Sequence, residues 1–305
     1  MLRRNVLIFH QAALGDFILT WPLAMALSRI FPQSRIIYVT HAQKGALAER
    51  VLGLESVDAE MGWHLLHVPP PQVPRLPERP AKLLEGAHTV ITFAAGKVDS
   101  LSQGVARVSP RAKVVSLDTK HDSGGHVTES LRHQLRGWPI LAEAMSQMLR
   151  SVANRGVGFG RSPGGDVVIH PGAGSPLKQW PMERFIELIE LLRAKGQSAR
   201  VLLGEAELEK WPAEAIPRLE LVAQVRRPGT LLELLSELST ARVFVGNDSG
   251  PGHLAAMIGV PTLSLHGPAS TPAWAPLGPK TRVLKATDLT TLAPGDVYTQ
   301  MCALG

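Results

Sequence analysis

Short runs of aliphatic and β-branched residues alternate along this chain with stretches whose apolar positions recur every three or four residues. Val6–Phe9 is the first such run and reads as a buried strand. Residues 16–30 follow with Ile18, Leu19, Leu23, Leu27 and Ile30 at helical spacing, and Phe31-Pro32 ends that helix. Further strands are predicted at Arg35–Val39, Thr89–Phe93 and Val114–Leu117, then a helix reaching about residue 150. A second series begins at strand Val167–Ile169. It continues through helix Met182–Ala194, strand Arg200–Leu203, helix Leu231–Leu238, strand Val243–Val245, a helix containing His253–Ile258, and strand Thr262–Leu265. Repeated strand-loop-helix order predicts an α/β chain with parallel sheets.

Two such series predict two Rossmann-like domains, residues 1–153 and 166–288. The glycine- and arginine-rich stretch 154–165 reads as the linker, and the tail 289–305 has room for one short helix and is a candidate to cross back to the N-terminal domain. Residues 121–126 read as an exposed loop. The segment 68–80, with six prolines, reads as a stiff surface loop or as a loop facing an acceptor.

Composition narrows the picture. At 305 residues, 45% hydrophobic and 19% charged, the chain can bury two cores without covalent staples. Its single cysteine, Cys302, excludes a disulfide framework and a cysteine-based zinc site. Neither a signal-peptide core nor an apolar run near the roughly 18 residues of a membrane span is present, so a cytoplasmic location is expected. A net charge of +6 suits an anionic partner: a nucleotide, a phosphorylated glycan or an acidic membrane face. The basic residues are scattered and aromatics are only 5%, which argues against nucleic acid.

Three glycine-bearing turns join a strand to a helix, where backbone amides can approach a phosphate. In the first, Ala12-Ala13-Leu14-Gly15-Asp16, Asp16 is either a first-turn capping residue or a general base. The second runs from His170 to Pro181. Its Gly172, Gly174 and Ser175 could supply donors to a diphosphate, and Lys178 could neutralise it, although the loop lacks the Gly-Lys-Ser/Thr of a Walker A motif. The third is Gly246-Asn247-Asp248-Ser249-Gly250-Pro251-Gly252-His253. Helix capping explains Asp248 or Ser249 but not the whole polar group, and His253 in the first turn could donate to a phosphate oxygen. His266-Gly267-Pro268 closes a further strand and suits the rim of a cleft.

These residues resemble glycosyltransferase family 9, the ADP-heptose:lipopolysaccharide heptosyltransferases. The resemblance is carried by Leu14-Gly15-Asp16 with Pro22, and by His170-Pro171-Gly172-Ala173 with Lys178-Gln179-Trp180-Pro181. It is carried further by Asn247-Asp248-Ser249-Gly250 with His253-Leu254-Ala255-Ala256 and Gly259-Val260-Pro261, and by His266-Gly267-Pro268. It implies the GT-B fold, two Rossmann-like domains facing across a cleft. It also implies inverting transfer of heptose from ADP-heptose to the lipopolysaccharide inner core or a related glycan, with no metal and no cofactor besides the nucleotide-sugar substrate. Asp16 is then the catalytic base. Lys178 and the Ser249-Gly250 amides hold the diphosphate beside His253, with Asp248 in the same donor-binding group. Glu207, or its neighbour Glu205, contacts the nucleotide ribose. Residence at the cytoplasmic face of the inner membrane also follows from the resemblance.

Two other classes stand beside this one: a nucleotide-sugar binder without turnover, and a family transferase using a different sugar donor. A Rossmann oxidoreductase or epimerase would need Gly-x-Gly-x-x-Gly after the first strand, and His10-Gln11-Ala12-Ala13-Leu14-Gly15 does not supply it.

Overall fold

The run Val6–Phe9 is buried in the computed structural model, which describes residues 4–94, 99–119 and 125–304. Residues 121–124 of the expected exposed loop lie outside those described. The chain divides into two compact units. One holds the chain up to Ala13 and from Thr20 to Arg150; the other holds Leu14–Leu19 and the chain from Ser151 onward.

The first unit is built on a five-stranded parallel sheet, β1 (Asn5–Phe9), β2 (Arg35–Thr40), β3 (Glu55–Asp58), β4 (Ala87–Ala94) and β5 (Lys113–Asp118), in the order β3-β2-β1-β4-β5. Helix α1 (Leu14–Leu19) is followed directly by α2 (Trp21–Ile30), and the connections continue with α3 (Ala42–Leu52), α4 (Glu78–Glu85), α5 (Ser100–Val108), α6 (Val127–Gln134) and α7 (Pro139–Arg155). Leu7, Phe9, Ile37, Val39, Trp63 and Val90 form the centre of its core, with Phe9 and Trp63 edge-to-face at 5.1 Å between ring centroids.

The second unit carries β6 (Val167–His170), α8 (Met182–Ala194), β7 (Ala199–Leu202), α9 (Glu205–Lys210), α10 (Ala215–Glu220), β8 (Gln224–Arg226) and α11 (Leu231–Ser239). Then come β9 (Val243–Asn247), α12 (Gly250–Met257), β10 (Thr262–His266), β11 (Thr281–Lys285) and α13 (Pro294–Cys302). Its six strands are parallel, in the order β11-β10-β9-β6-β7-β8. Counted within the unit this is the doubly wound order 3-2-1-4-5-6, which reverses between β6 and β9 and opens its crevice there. Helices α8 and α13 cover one face, where Phe185, Leu188, Val297 and Met301 join the strand residues in one core.

Four expectations are corrected. The segment 16–30 is two helices rather than one, broken at Thr20. Pro22 has no N–H to continue the ladder, its ring would meet the Ile18 carbonyl, and it serves instead in the first turn of α2. The first of these helices, α1, packs with the second unit, so residues 14–19 do not belong to the N-terminal body that residues 1–153 were expected to form. The tail does not cross back either: Val297 and Met301 of α13 bury their side chains in the second unit's own core. The linker is also shorter than expected at its start, since α7 runs through Arg155.

At the end of β1, His10 is only 4% exposed and stacks edge-to-face on Phe93. Burial, and then the nearby charge of Lys44, lower its pKa to about 3. A folded-state pKa below the unfolded value of about 6.5 means the unfolded chain binds the extra proton first. The contribution is therefore intact above about pH 6.5 and is lost as pH falls toward 3. Urea unfolding at pH 7, 6 and 5 should show the native protein losing up to about 1.4 kcal/mol per pH unit more than His10→Gln. Parallel losses in the two proteins would contradict this.

Candidate active site

The exits of β6 and β9 flank the crevice of the second sheet, and the two loops that begin there are clipped together by one buried side chain. Asn247, the last residue of β9, is fully buried. Its Nδ2 donates to the Pro171 carbonyl at 2.7 Å, and its Oδ1 accepts from the Trp180 N–H at 2.9 Å. One side chain thus spans both ends of the loop that contains Gly172, Gly174, Ser175 and Lys178. Trp180 is anchored in turn, buried with its Nε1 donating to the Leu292 carbonyl at 3.1 Å. Pro181 is the residue before α8 rather than part of its first turn.

Within that loop the expected residues part company. Gly172 is required by space: a Cβ there would lie 1.9 Å from Glu207 Oε1. Gly174 is exposed, and a Cβ there would meet nothing. The Ser175 oxygen accepts from the Leu177 N–H at 3.3 Å, capping a short 3₁₀ turn (Pro176–Lys178) that presents Lys178. Glu207 is itself 5% exposed, with Oε2 accepting from the Gly204 N–H at 2.8 Å at the start of α9. Glu205 lies exposed on the same turn. His170 is buried and its Nδ1 donates to the Leu202 carbonyl at 3.0 Å, so its ring braces β6 against β7. Burial lowers its pKa, and the charge of Glu207 and the bond to Leu202 oppose that shift without reversing it.

Lys178 reaches back to the second loop. Its Nζ lies 2.7 Å from Asp248 Oδ2, with side-chain exposures of 30% and 7%. Burial pushes the Asp248 pKa up, but the Lys178 hydrogen bond and the charges of His266, Lys178 and His253 together hold it below the usual carboxylate range. Asp248 is therefore an anion paired with the expected phosphate-neutralising lysine. The capping explanation for Ser249 fails: it occupies the N-cap of α12 in an extended conformation but makes no side-chain cap bond, and its buried Oγ has no hydrogen-bond partner among the described residues. Its carbonyl receives the N–H groups of Gly252 and His253 instead.

The first turn of α12 is also where α1 docks. A Cβ on Gly15 would stand 2.8 Å from His253 Cδ2, and a Cβ on Gly250 would stand 3.0 Å from Leu14 Cβ. The two glycines let the helices meet backbone against side chain, and Asp16 rides in the first turn of α1. Helix α1, which carries Asp16, thus meets the helix that has Ser249 at its N-cap and holds His253, while Asp248 pairs with Lys178 and Glu207 lies against Gly172 in the same unit. Among the described residues there is no group of three or more His, Cys, Asp or Glu side chains able to hold a metal ion, and no helix long and apolar enough to cross a membrane.

The sequence did not single out Asn247 for the role it has, nor His170. Asn-Asp-Ser at a strand end signalled a polar site, but the clip depends on partners 76 and 67 positions away. Asn247→Ala removes both bonds and leaves a buried carbonyl and N–H unpaired, which should cost about 2–4 kcal/mol in urea unfolding. A loss under about 1 kcal/mol would show that the loop is held by other means.

Residues 139–294, just over half of the chain, match the profile of "Glycosyltransferase family 9 (heptosyltransferase)". Lipopolysaccharide heptosyltransferase 1 of Pseudomonas aeruginosa is 38% identical over 93 residues, a stretch that is 30% of this chain and 26% of that protein, so the match spans about a quarter of the relative's length. Among solved structures, the ADP-heptose lipopolysaccharide heptosyltransferase II of E. coli superposes with a TM-score of 0.68 at 17% identity, over 98% of each chain. A family 9 glycosyltransferase from Veillonella parvula gives a TM-score of 0.70 at 19% identity, over 100% of this chain and 98% of that one. At such identities the superpositions establish the fold, which is GT-B, and the family profile establishes the kinship: this chain belongs to glycosyltransferase family 9.

Proposed function

We propose that this protein is an inverting glycosyltransferase that moves heptose from ADP-heptose to the lipopolysaccharide inner core or a related glycan. The observation that carries the reading is the seating of α1, with Asp16 in its first turn, on the first turn of α12, which has Ser249 at its N-cap and holds His253. The kinship with heptosyltransferases supports the sugar and the acceptor class.

In this reading the Asp16 carboxylate takes the proton from an acceptor hydroxyl. The hydroxyl oxygen attacks the anomeric carbon from the face opposite the diphosphate, the bond from that carbon to the phosphate oxygen breaks, and ADP leaves with the electron pair. Negative charge building on the diphosphate meets the Lys178 ammonium, the Ser249 hydroxyl, the Gly250 N–H at the positive end of α12, and His253. Lys178 is held by Asp248, so the ammonium is placed for the donor. Glu207 supports Gly172 from beneath and offers Oε1 to a ribose hydroxyl, with Glu205 as the alternative on the same turn. Gly174 and Ser175 line the outer part of the loop. The charge compensation comes from the protein's own groups, without a metal or a further cofactor. The basic surface suits a peripheral position at the cytoplasmic face of the inner membrane, near an anionic acceptor, and nucleic acid is not a partner.

ADP release from ADP-, UDP- and GDP-sugars, with and without lipopolysaccharide core acceptor, tests this. Acceptor-dependent turnover with ADP-heptose is expected. Asp16→Ala should abolish it while the calorimetric affinity for ADP stays within about twofold, and Lys178→Ala should lower turnover by about 10²–10³. Full activity of Asp16→Ala, or loss of its ADP binding, would contradict the assigned role. Binding without turnover in the native protein would favour a nucleotide-sugar binder.

A further inference from the structure

Beside the paired Asp248 and Lys178 lies a histidine that the reaction just described does not use. His266 ends β10 and is 2% exposed. Its Nε2 is 3.0 Å from the Ser264 hydroxyl, while its Nδ1 is buried with no hydrogen-bond partner among the described residues. The ring stands close enough to Asp248 and Lys178 for each to act on its charge: burial lowers the His266 pKa, Asp248 draws it up, and Lys178 and Lys285 push it down again, leaving it below the usual value. The backbone joins the same neighbourhood, since the Asp248 N–H donates to the Leu265 carbonyl at 3.2 Å. The next residue, Gly267, borders the lysine loop: a Cβ there would lie 3.9 Å from the Leu177 carbonyl. Ser270 folds back over this turn through its N–H to the Gly267 carbonyl at 3.0 Å, and its buried Oγ likewise has no hydrogen-bond partner among the described residues.

A buried polar atom left unpaired in a folded protein destabilises it and calls for a partner that is not part of the chain. Two such atoms, His266 Nδ1 and Ser270 Oγ, sit on one turn, and the His266 ring lies beside Asp248. The chemistry selects among occupants. A phosphate oxygen can only accept. A neutral imidazole nitrogen and a serine hydroxyl are matched by a group that both donates and accepts, which is an alcohol. We propose that His266, with Ser270, receives a hydroxyl of the sugar carried by the nucleotide donor and is a specificity-determining residue for that sugar. This rests on the glycosyltransferase reading, since it presumes that a nucleotide-sugar occupies the crevice.

Titration calorimetry with ADP and with ADP-heptose on the full chain separates the two. Native protein should bind both, and His266→Phe should weaken ADP-heptose binding by about tenfold while ADP affinity changes less than twofold. Ser270→Ala should shift the same ligand in the same direction by about threefold or more. Equal losses for both ligands, or none for either, would overturn the sugar contact and leave His266 as a prop of the loop. Should circular dichroism show His266→Phe unfolded, the Ser270→Ala comparison decides by the same criterion. Native protein binding neither ligand would remove the transferase proposal and this inference together, whereas native binding with unselective variants removes the inference alone.

Discussion

At position 15 there is no room for a methyl group: it would stand 2.8 Å from the imidazole of His253. That steric constraint lets α1 lie directly on the first turn of α12, and most of the functional reading follows from it. The helix is only six residues long and could not be stable alone. Its position is set by packing, through Gly15 on His253 and Leu14 on Gly250. Asp16 is thereby fixed in the frame of the loops that would hold a donor, although the strand preceding it belongs to the other sheet.

Around this contact the second unit places its polar groups by a few buried ties. Asn247 fixes the loop after β6 from both ends. Asp248 is held ionised by Lys178 and the neighbouring histidines despite its burial, and Ser249 is left with a hydroxyl that does not cap its helix. Each tie withdraws one group from ligand contact and orients another. Ser175 Oγ accepts from the Leu177 N–H, a Cβ on Gly174 would meet nothing, and Asn247 is a brace.

Much of the architecture was legible because buried parallel strands are written as apolar runs. Val167–Ile169 and Thr262–Leu265 could be read directly, and helix Met182–Ala194 was bounded by its periodicity and by Pro181. Glu55–Asp58 was not legible, since Glu-Ser-Val-Asp at the sheet edge carries no hydrophobic signature. The break at Thr20 did have a signal in Pro22, which the apolar spacing outweighed. No local pattern could reveal that α1 packs with the second unit, because that depends on a close approach between residues far apart in sequence. The same holds for the Lys178–Asp248 pair, whose members sit on separate loops.

The claim that Asp16 and the diphosphate groups share one frame is tested most directly by Gly15→Ala, a change that touches neither Asp16 nor any charged group. Transfer to the glycan acceptor should fall by at least tenfold in kcat, with secondary structure by circular dichroism retained, because the added methyl forces α1 off His253. An unchanged kcat in a variant whose melting temperature is also unchanged would show that the helices need not meet as described, and would remove the basis for assigning Asp16 as the base.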